Sequence, residues 1–402
     1  MGTSTRPSTR MPSSRAARHT RLHCSAGIRR SVLRAGWSPS RPRRTTSGWV
    51  RRLLRTHPGF SRSKCASRSQ DARSRTRLEL LEPPRLSRGK MALVESQLHV
   101  DVPLAEAWVA SSVPIVGHLE PVQTEPWASV YRATLAAGIV WFKACAPHRA
   151  FEVPLTASLS ARWPTTVAEV LAYDVDRRWL LTADAGEPFR ELGNPPERWL
   201  DVLPAYARLQ IGEIDHAADH LDVGVPDLRL AQLPERYDEL LAAELPLAPC
   251  ETAAVAALGQ RFSDLCAELE SHGIGATVQH DDLHMNNVYV KDGALRVLDW
   301  GDASISHPFF SLFETFRFLT EMNRLSPGDP WFGRLRDAYL EPWGPGHLET
   351  FDLALRIAGL AHAIAWLDQR DALPVRDRPD FDMGFGGILR VALRTASDTL
   401  SS

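Results

Sequence analysis

Two short apolar runs, 288–290 and 294–298, close on Lys291-Asp292-Gly293, and no other stretch restricts the local fold of this chain so tightly. Such runs around an Asp-Gly pair specify a β-hairpin with a tight turn. Pairing about that turn sets Asn287 opposite Asp299 to within one residue of register. The loop Gln279-His280-Asp281-Asp282-Leu283-His284 leads into the first strand. Folding this segment alone therefore gathers the carboxylates of Asp282 and Asp299 and the amide oxygen of Asn287 at one mouth.

That donor set makes a divalent-cation site beside a proton acceptor. Singly, Asp282, Asn287 and Asp299 are ordinary cap and turn residues; their joint delivery by one hairpin carries the reading. Phosphoryl transfer fits, because its transition state asks for positioning and charge neutralisation more than for covalent chemistry. The pattern His280-x-Asp282-x-x-x-x-Asn287, followed by Asp299-Trp300-Gly301 where protein kinases have Asp-Phe-Gly, resembles the aminoglycoside phosphotransferase family of small-molecule kinases. Leu283-His284 and the run His307-Pro308-Phe309-Phe310-Ser311-Leu312 extend the match.

The resemblance implies that Asp282 orients and deprotonates an acceptor hydroxyl. It also implies that Asn287 and Asp299 hold Mg²⁺ against the phosphates of ATP or GTP, and that His280 supports the catalytic loop. His284 is read as a packing residue, and Asp302 as either a support of the metal site or a surface residue. Because His280, Asp281, Asp282 and His284 also resemble a hydrolase metal cluster, a metal-dependent hydrolase is a rival, without a second ligand cluster elsewhere in the sequence. A nucleotide-binding regulatory protein that keeps the fold without turnover is another.

A nucleotide-gripping lobe is expected upstream. Residues Ala128–Thr134 and Ile139–Cys145 read as strands around Ala136-Ala137-Gly138, and the second carries Lys143 within Val140-Trp141-Phe142-Lys143-Ala144-Cys145. A lysine in an apolar strand is costly unless solvated or paired. The resemblance makes it the phosphate-binding lysine. Glu152, the only acid between Lys143 and Glu169, is its candidate partner, or else a cap of a helix with Pro154 in its first turn.

No G-x-G-x-x-G precedes Lys143. The corresponding turn is Thr124-Glu125-Pro126-Trp127-Ala128-Ser129, whose backbone N–H groups and Ser129 hydroxyl are candidate phosphate contacts, with Trp127 beside the nucleotide. Residues 178–186 read as a buried strand ending in a flexible connector; the resemblance makes this the hinge between lobes, with Thr182 and Asp184 as candidate nucleotide contacts.

Beyond the hinge, Val255, Leu258, Phe262, Leu265 and Leu269 fall at gaps of 3, 4, 3 and 4, one stripe of a helix ahead of the catalytic loop. Similar stripes recur at 199–211, 230–245, 308–319, 351–367 and 388–400, each read as core. The run 357–367 is interrupted by His362 and falls short of the ~20 apolar residues of a membrane span, so no membrane association is expected.

The first ninety residues belong to another physical class. They hold 21 Arg and 2 Lys against Asp71, Glu79 and Glu82, a formal charge of +20, while the remaining 312 carry −21. A Ser/Arg/Pro-rich stretch with little apolar periodicity reads as disordered. It is a transit segment, a nucleic-acid-binding tail, or the product of a start assigned too early, and the ordinary composition from Met91 onward favours the last. Five scattered cysteines without C-x-x-C spacing point to reduced thiols in a cytoplasm.

The expected architecture is a two-lobed α+β, protein-kinase-like fold. Residues 1–90 form a disordered basic tail, 91–186 a sheet-rich nucleotide-binding lobe, and 187–402 a helical lobe with the catalytic loop and acceptor pocket. The expected activity is Mg²⁺-dependent transfer of a nucleotide γ-phosphate to a hydroxyl of a small molecule, aminoglycoside-like or another hydroxylated amine. Nucleic acid is not an expected partner unless the basic tail is real.

Overall fold

The structure, a computed structural model, describes residues 100–326 and 328–398. The expectations for the basic tail and for a start at Met91 lie outside them. Asp101 opens helix α1 (Val102–Ser112), its carboxylate accepting the Leu104 N–H at 3.1 Å. Strands β1 (Glu120–Glu125), β2 (Ala128–Thr134) and β3 (Ile139–Cys145) follow. Helix α2 (Glu152–Arg162) then leads to β4 (Val170–Asp174) and β5 (Trp179–Ala183). These strands form one antiparallel sheet in the order β1-β2-β3-β5-β4. Alternate residues of β2, β3 and β5 face α1, where Trp108 packs on Phe142 and Trp179 at 5.9 and 5.6 Å between centroids and Tyr131 packs on Phe142 at 5.8 Å.

A connector through Gly186 and β6 (Glu187–Pro188) leads to the helical part. Its helices are α3 (Pro196–Glu213), α4 (Ala217–Asp222), α5 (Leu233–Ala242), α6 (Pro249–Ala256) and α7 (Gly259–Ser271). Strands β7 (Thr277–Gln279), β8 (Val288–Lys291), β9 (Ala294–Val297) and β10 (Ser304–Ser306) carry the site. Helices α8 (Leu312–Met322), α9 (Pro330–Leu340), α10 (Leu348–Ala372) and α11 (Arg378–Asp398) complete it.

The single helix expected over 255–269 is two. Ala257 and Leu258 keep right-handed helical angles between α6 and α7, so Val255, Leu258, Phe262, Leu265 and Leu269 all remain buried along one stripe that bends. The stripe at 351–367 lies in a helix longer than its apolar run. At 25 residues and mean hydropathy 1.3, α10 meets the length and composition of a membrane span, yet 78% of its most apolar window is buried. It is the central helix of the helical core.

Gly186 controls how the two parts join. Its φ is +92°, and a Cβ there would lie 2.1 Å from the Val290 carbonyl oxygen, because β6 pairs with β8 across Glu187–Val290. Gly186→Ala is therefore expected to destabilise the protein by at least about 1 kcal/mol, measured as a lower denaturant midpoint at unchanged m-value.

Candidate active site

The hairpin forms in the expected register: Val288 pairs with Val297 and Lys291 with Ala294. Asp292 and Gly293 both take positive φ, 51° and 79°, as a type I′ turn requires. Backbone pairing continues past the strands, with the Leu298 N–H donating to the Asn287 carbonyl at 2.9 Å. The hairpin is also tied to the sheet lobe, where Val297 bridges Val167 and donates its N–H to the Thr166 carbonyl at 2.7 Å.

Strand β7 pairs with β10, Gln279 opposite Ser304, and so closes the segment that carries the catalytic loop and the second motif. His280 is fully buried and ties the loop to the second motif, its Nε2 2.8 Å from the Leu298 carbonyl oxygen. Its Nδ1 accepts the Asp282 N–H at 3.3 Å, and its ring lies 4.8 Å from that of Trp300. Burial holds its pKa down, so the imidazole is neutral with the proton on Nε2. With both nitrogens engaged inside the protein, His280 positions the loop and is no metal ligand, which removes the basis of the hydrolase reading.

Asp282 is held from two sides. Its Oδ1 lies 2.9 Å from His284 Nε2, and its Oδ2 accepts from the Asn287 amide nitrogen at 2.9 Å. That nitrogen also donates to the Asp282 carbonyl, which turns the amide oxygen of Asn287 away from Asp282. His284 accepts the Asn286 N–H on Nδ1 and packs on Phe318 at 4.1 Å between centroids. The packing role expected for His284 is thus joined by a hydrogen bond that aims Asp282.

Lys143 reaches across to the hairpin. Its Nζ donates to Glu152 Oε1 at 2.6 Å and to Asp299 Oδ1 at 2.7 Å. Glu152, the first residue of α2, pairs instead of capping, and is 2% exposed. Burial opposes the charge on Lys143, but Asp299 and Glu152 outweigh it and raise its pKa. Burial pushes the Glu152 carboxyl up, and the Asp299 charge adds to this, against the opposing pull of Lys143. Asp299 sits at φ 65° with its side chain 51% exposed. Burial of its surroundings resists ionisation there too, yet the Lys143 charge prevails and holds it at about 2.

Gly301 makes room for this arrangement. A Cβ at that position would lie 2.8 Å from Glu152 Oε2, which also accepts from the Cys145 thiol at 3.3 Å. In Gly301→Ala the displaced carboxylate loses its alignment with Lys143. A fall in turnover of about tenfold or more, with a melting temperature within a few degrees of the parent, is the expected outcome.

The nucleotide contacts expected on the sheet lobe divide. Thr182 pairs with Trp141 and so shares the face of Lys143. Trp127 lies in the two-residue turn between β1 and β2, and its carbonyl accepts the Ala146 N–H at 2.8 Å, which fixes that turn at the Lys143 end of the sheet. Ser129 is a correction. It pairs with Ala144 and faces the core under α1, 1% exposed, so its hydroxyl points away from Lys143. Asp184 is another, since its carboxylate is engaged by Lys291 Nζ at 3.0 Å, Gly186 N–H at 3.3 Å and Trp141 Nε1 at 3.4 Å. It clasps the connector to both lobes.

Among the described residues no group of three or more His, Cys, Asp or Glu forms a preformed metal cage. Mg²⁺ in phosphotransfer sites is held by one or two side chains together with substrate phosphates and water. An ionised, half-exposed Asp299 beside an outward-turned Asn287 oxygen fits such a site.

No family model matches the sequence, and no curated protein matches it. Solved structures do. A choline/ethanolamine kinase family protein from Mesorhizobium loti aligns at TM-score 0.50 and 17% identity, over 73% of this chain and 95% of that one. Choline kinase from Cryptosporidium parvum aligns at 0.55 and 13%, over 75% of this chain and 97% of that one. The chain has the fold of the small-molecule kinases. A thermostable mutant of an aminoglycoside phosphotransferase, solved with ADP and hygromycin B, aligns at 0.47 and 14%, over 73% of this chain and 98% of that one.

Within this kinase-like fold one pair escaped sequence reasoning. Arg149, 7% exposed in the turn after β3, lies 2.5 Å from Asp302. Asp302, 23% exposed at its side chain, is not a free surface residue but half of a largely buried ion pair. An arginine in a run following the nucleotide-lobe lysine was the available signal, without anything to name its partner 153 positions on.

The depressed carboxylates set an acid limit on this fold. Glu213, fully buried, is held at about 2: burial resists ionisation, but hydrogen bonds from His220 and Arg162 outweigh it. Asp299 is held at a similar value. Both bind protons less readily folded than unfolded, so their contribution is present above the ordinary carboxylate range near ~4 and is lost as pH falls toward about 2. Denaturant unfolding at a series of acid pH values should show stability falling across that window, and Glu213→Gln should flatten the fall.

Proposed function

We propose that the protein is a Mg²⁺-dependent phosphotransferase that moves the γ-phosphate of ATP or GTP to a hydroxyl of a small molecule. The observation that carries this is the contact of Lys143 with both Glu152 and Asp299, 2.6 and 2.7 Å, at the mouth of the hairpin that also presents Asn287. Lys143 holds the nucleotide phosphates, and Glu152 holds Lys143. The nucleotide lies under the β1–β2 turn, with Thr182 and the connector backbone toward its base.

Asp282, fixed by His284 and Asn287, accepts the proton of the acceptor hydroxyl. The acceptor oxygen forms a bond to the γ-phosphorus, the bond from that phosphorus to the bridging oxygen breaks, and the electron pair leaves on the nucleoside diphosphate. Asn287 and Asp299 would hold Mg²⁺, whose chemistry when bound is to neutralise charge on the transferring phosphates. The acceptor class is a hydroxylated amine, aminoglycoside-like or smaller, and the place of action is the cytoplasm.

Purified protein with Mg²⁺ and ATP or GTP, incubated with a panel of hydroxylated amines, should yield a phosphate ester visible by ³¹P NMR. Nucleotide binding with no ester from any acceptor would favour the regulatory alternative.

A further inference from the structure

Helix α2 stands in sequence between two strands of the sheet, but its apolar face belongs to the helical lobe. Leu155 and Leu159, with Phe151 one turn ahead of them, recur every four residues on one side of the helix and are buried in the core built by the helical part. The core under α1, which serves the sheet, contains no residue of α2. Val153 turns the other way, to Cys145 and Leu180 of the sheet. The pairing of Lys143 with Glu152 is therefore a contact between lobes.

The far end of α2 is fastened by a buried carboxylate. Glu213, the last residue of α3, is 0% exposed. Its Oε1 accepts from Arg162 Nε at 2.7 Å and from the Trp163 indole N–H, while its Oε2 accepts from Arg162 Nη2 and lies 2.7 Å from His220 Nε2 on α4. A carboxylate sealed from water is costly unless its lone pairs are answered, and here both oxygens are engaged by the end of α2. Gly212 brings the Trp163 ring onto α3, since a Cβ there would lie 2.3 Å from Trp163 Cζ2. At 1.5 Å per residue this clamp sits about 15 Å along the helix axis from Glu152.

Apolar packing chooses which face of α2 is buried, but it is not directional and resists small rotations and slides only weakly. A bidentate arginine on a fixed carboxylate resists both. With α2 a single helix of 11 residues, fixing its rotation and axial position at Arg162 fixes where Glu152 lies. We infer that Glu213 is a positioning residue for the reacting centre: by clamping Arg162 and Trp163 it sets the reach of Glu152 to Lys143 from the opposite end of α2. Its effect on nucleotide rests on the kinase reading, and it goes beyond that reading in naming what holds the partner of Lys143 in place.

The test is a double-mutant cycle on the full chain, read by calorimetric titration with Mg²⁺ and a non-hydrolysable ATP analogue. Glu213→Gln alone should weaken binding of the analogue about fivefold or more, the size expected for residues coupled in one network. In a Glu152→Gln background, where Lys143 has already lost that carboxylate, the same substitution should change binding less than about twofold. Sites this far apart with no shared partner ordinarily add, so a purely structural clamp would weaken binding equally in both backgrounds. Arg162→Gln, at a side chain 33% exposed, removes the bidentate pair from its outer side and provides a second variant should Glu213→Gln not fold.

Amide exchange gives a reading that does not depend on nucleotide. In either variant protection should fall along the whole of α2, including its first turn at 155–158, while that of β3 is kept. Equal weakening in both backgrounds, analogue binding unchanged in both variants, or faster exchange confined to the last turn of α2 overturns the inference. If the parent protein binds no nucleotide, the kinase reading fails, and amide exchange alone then decides the clamp.

Discussion

Asp282→Asn is expected to lower turnover by about 10²–10⁴-fold while nucleotide affinity stays within a few-fold of the parent. Removal of a positioned general base costs on that order. The substitution keeps the side-chain volume and leaves an oxygen to accept from Asn287 or His284, so the loop retains its shape. Asp282 touches neither Lys143 nor Asp299, the pair assigned to the phosphates, and ground-state binding of nucleotide is therefore spared. Steady-state rates together with a titration of nucleotide separate the two effects. A variant as active as the parent would mean that the acceptor proton leaves by another route.

Lys143→Met should be the more damaging change, because it acts on stability as well as on rate. Lys143 is 16% exposed and stands between Glu152 and Asp299. Without it two carboxylates face each other around Gly301, one of them buried, and breaking a buried pair from one side costs about 3–5 kcal/mol. Glu152, already pushed up by burial, takes up a proton more readily in the variant. Denaturant unfolding should therefore show the deficit shrinking as pH is lowered. Nucleotide affinity should fall at every pH, since the phosphate contact is gone. Stability unchanged at neutral pH would show that the three groups are not coupled.

What the sequence made legible was local. The hairpin register followed from Asp292-Gly293, and the limits of β2 and β3 from apolar runs around Gly138. Lys143 announced a partner because a strand lysine among apolar neighbours needs one, and Glu152 was the acid within reach. Strand β1 was silent: Glu-Pro-Val-Gln-Thr-Glu is an edge strand, exposed along almost its whole length, and has no buried face to impose alternation.

The errors share one cause. Ser129 was placed by its nearness in sequence to the phosphate-covering turn, but which face a strand residue takes depends on pairing register across β2, β3 and β5. Asp184 was placed by its position in the hinge, yet its charge is claimed by Lys291, more than a hundred residues away. Arg149 and Asp302 form a pair that no local pattern encodes. The break in the 255–269 helix was invisible because the apolar stripe runs through it unchanged.

The central claim is that one hairpin and one lysine converge on a metal–nucleotide complex. Crystals grown with Mn²⁺ and a non-hydrolysable ATP analogue, mapped by anomalous scattering, test it most directly. The account predicts a peak within coordination distance, about 2.0–2.3 Å, of both the Asn287 amide oxygen and the Asp299 carboxylate, bridged to the nucleotide phosphates with Lys143 beside them. A nucleotide seated away from Lys143, or metal density that touches neither Asn287 nor Asp299, would contradict it.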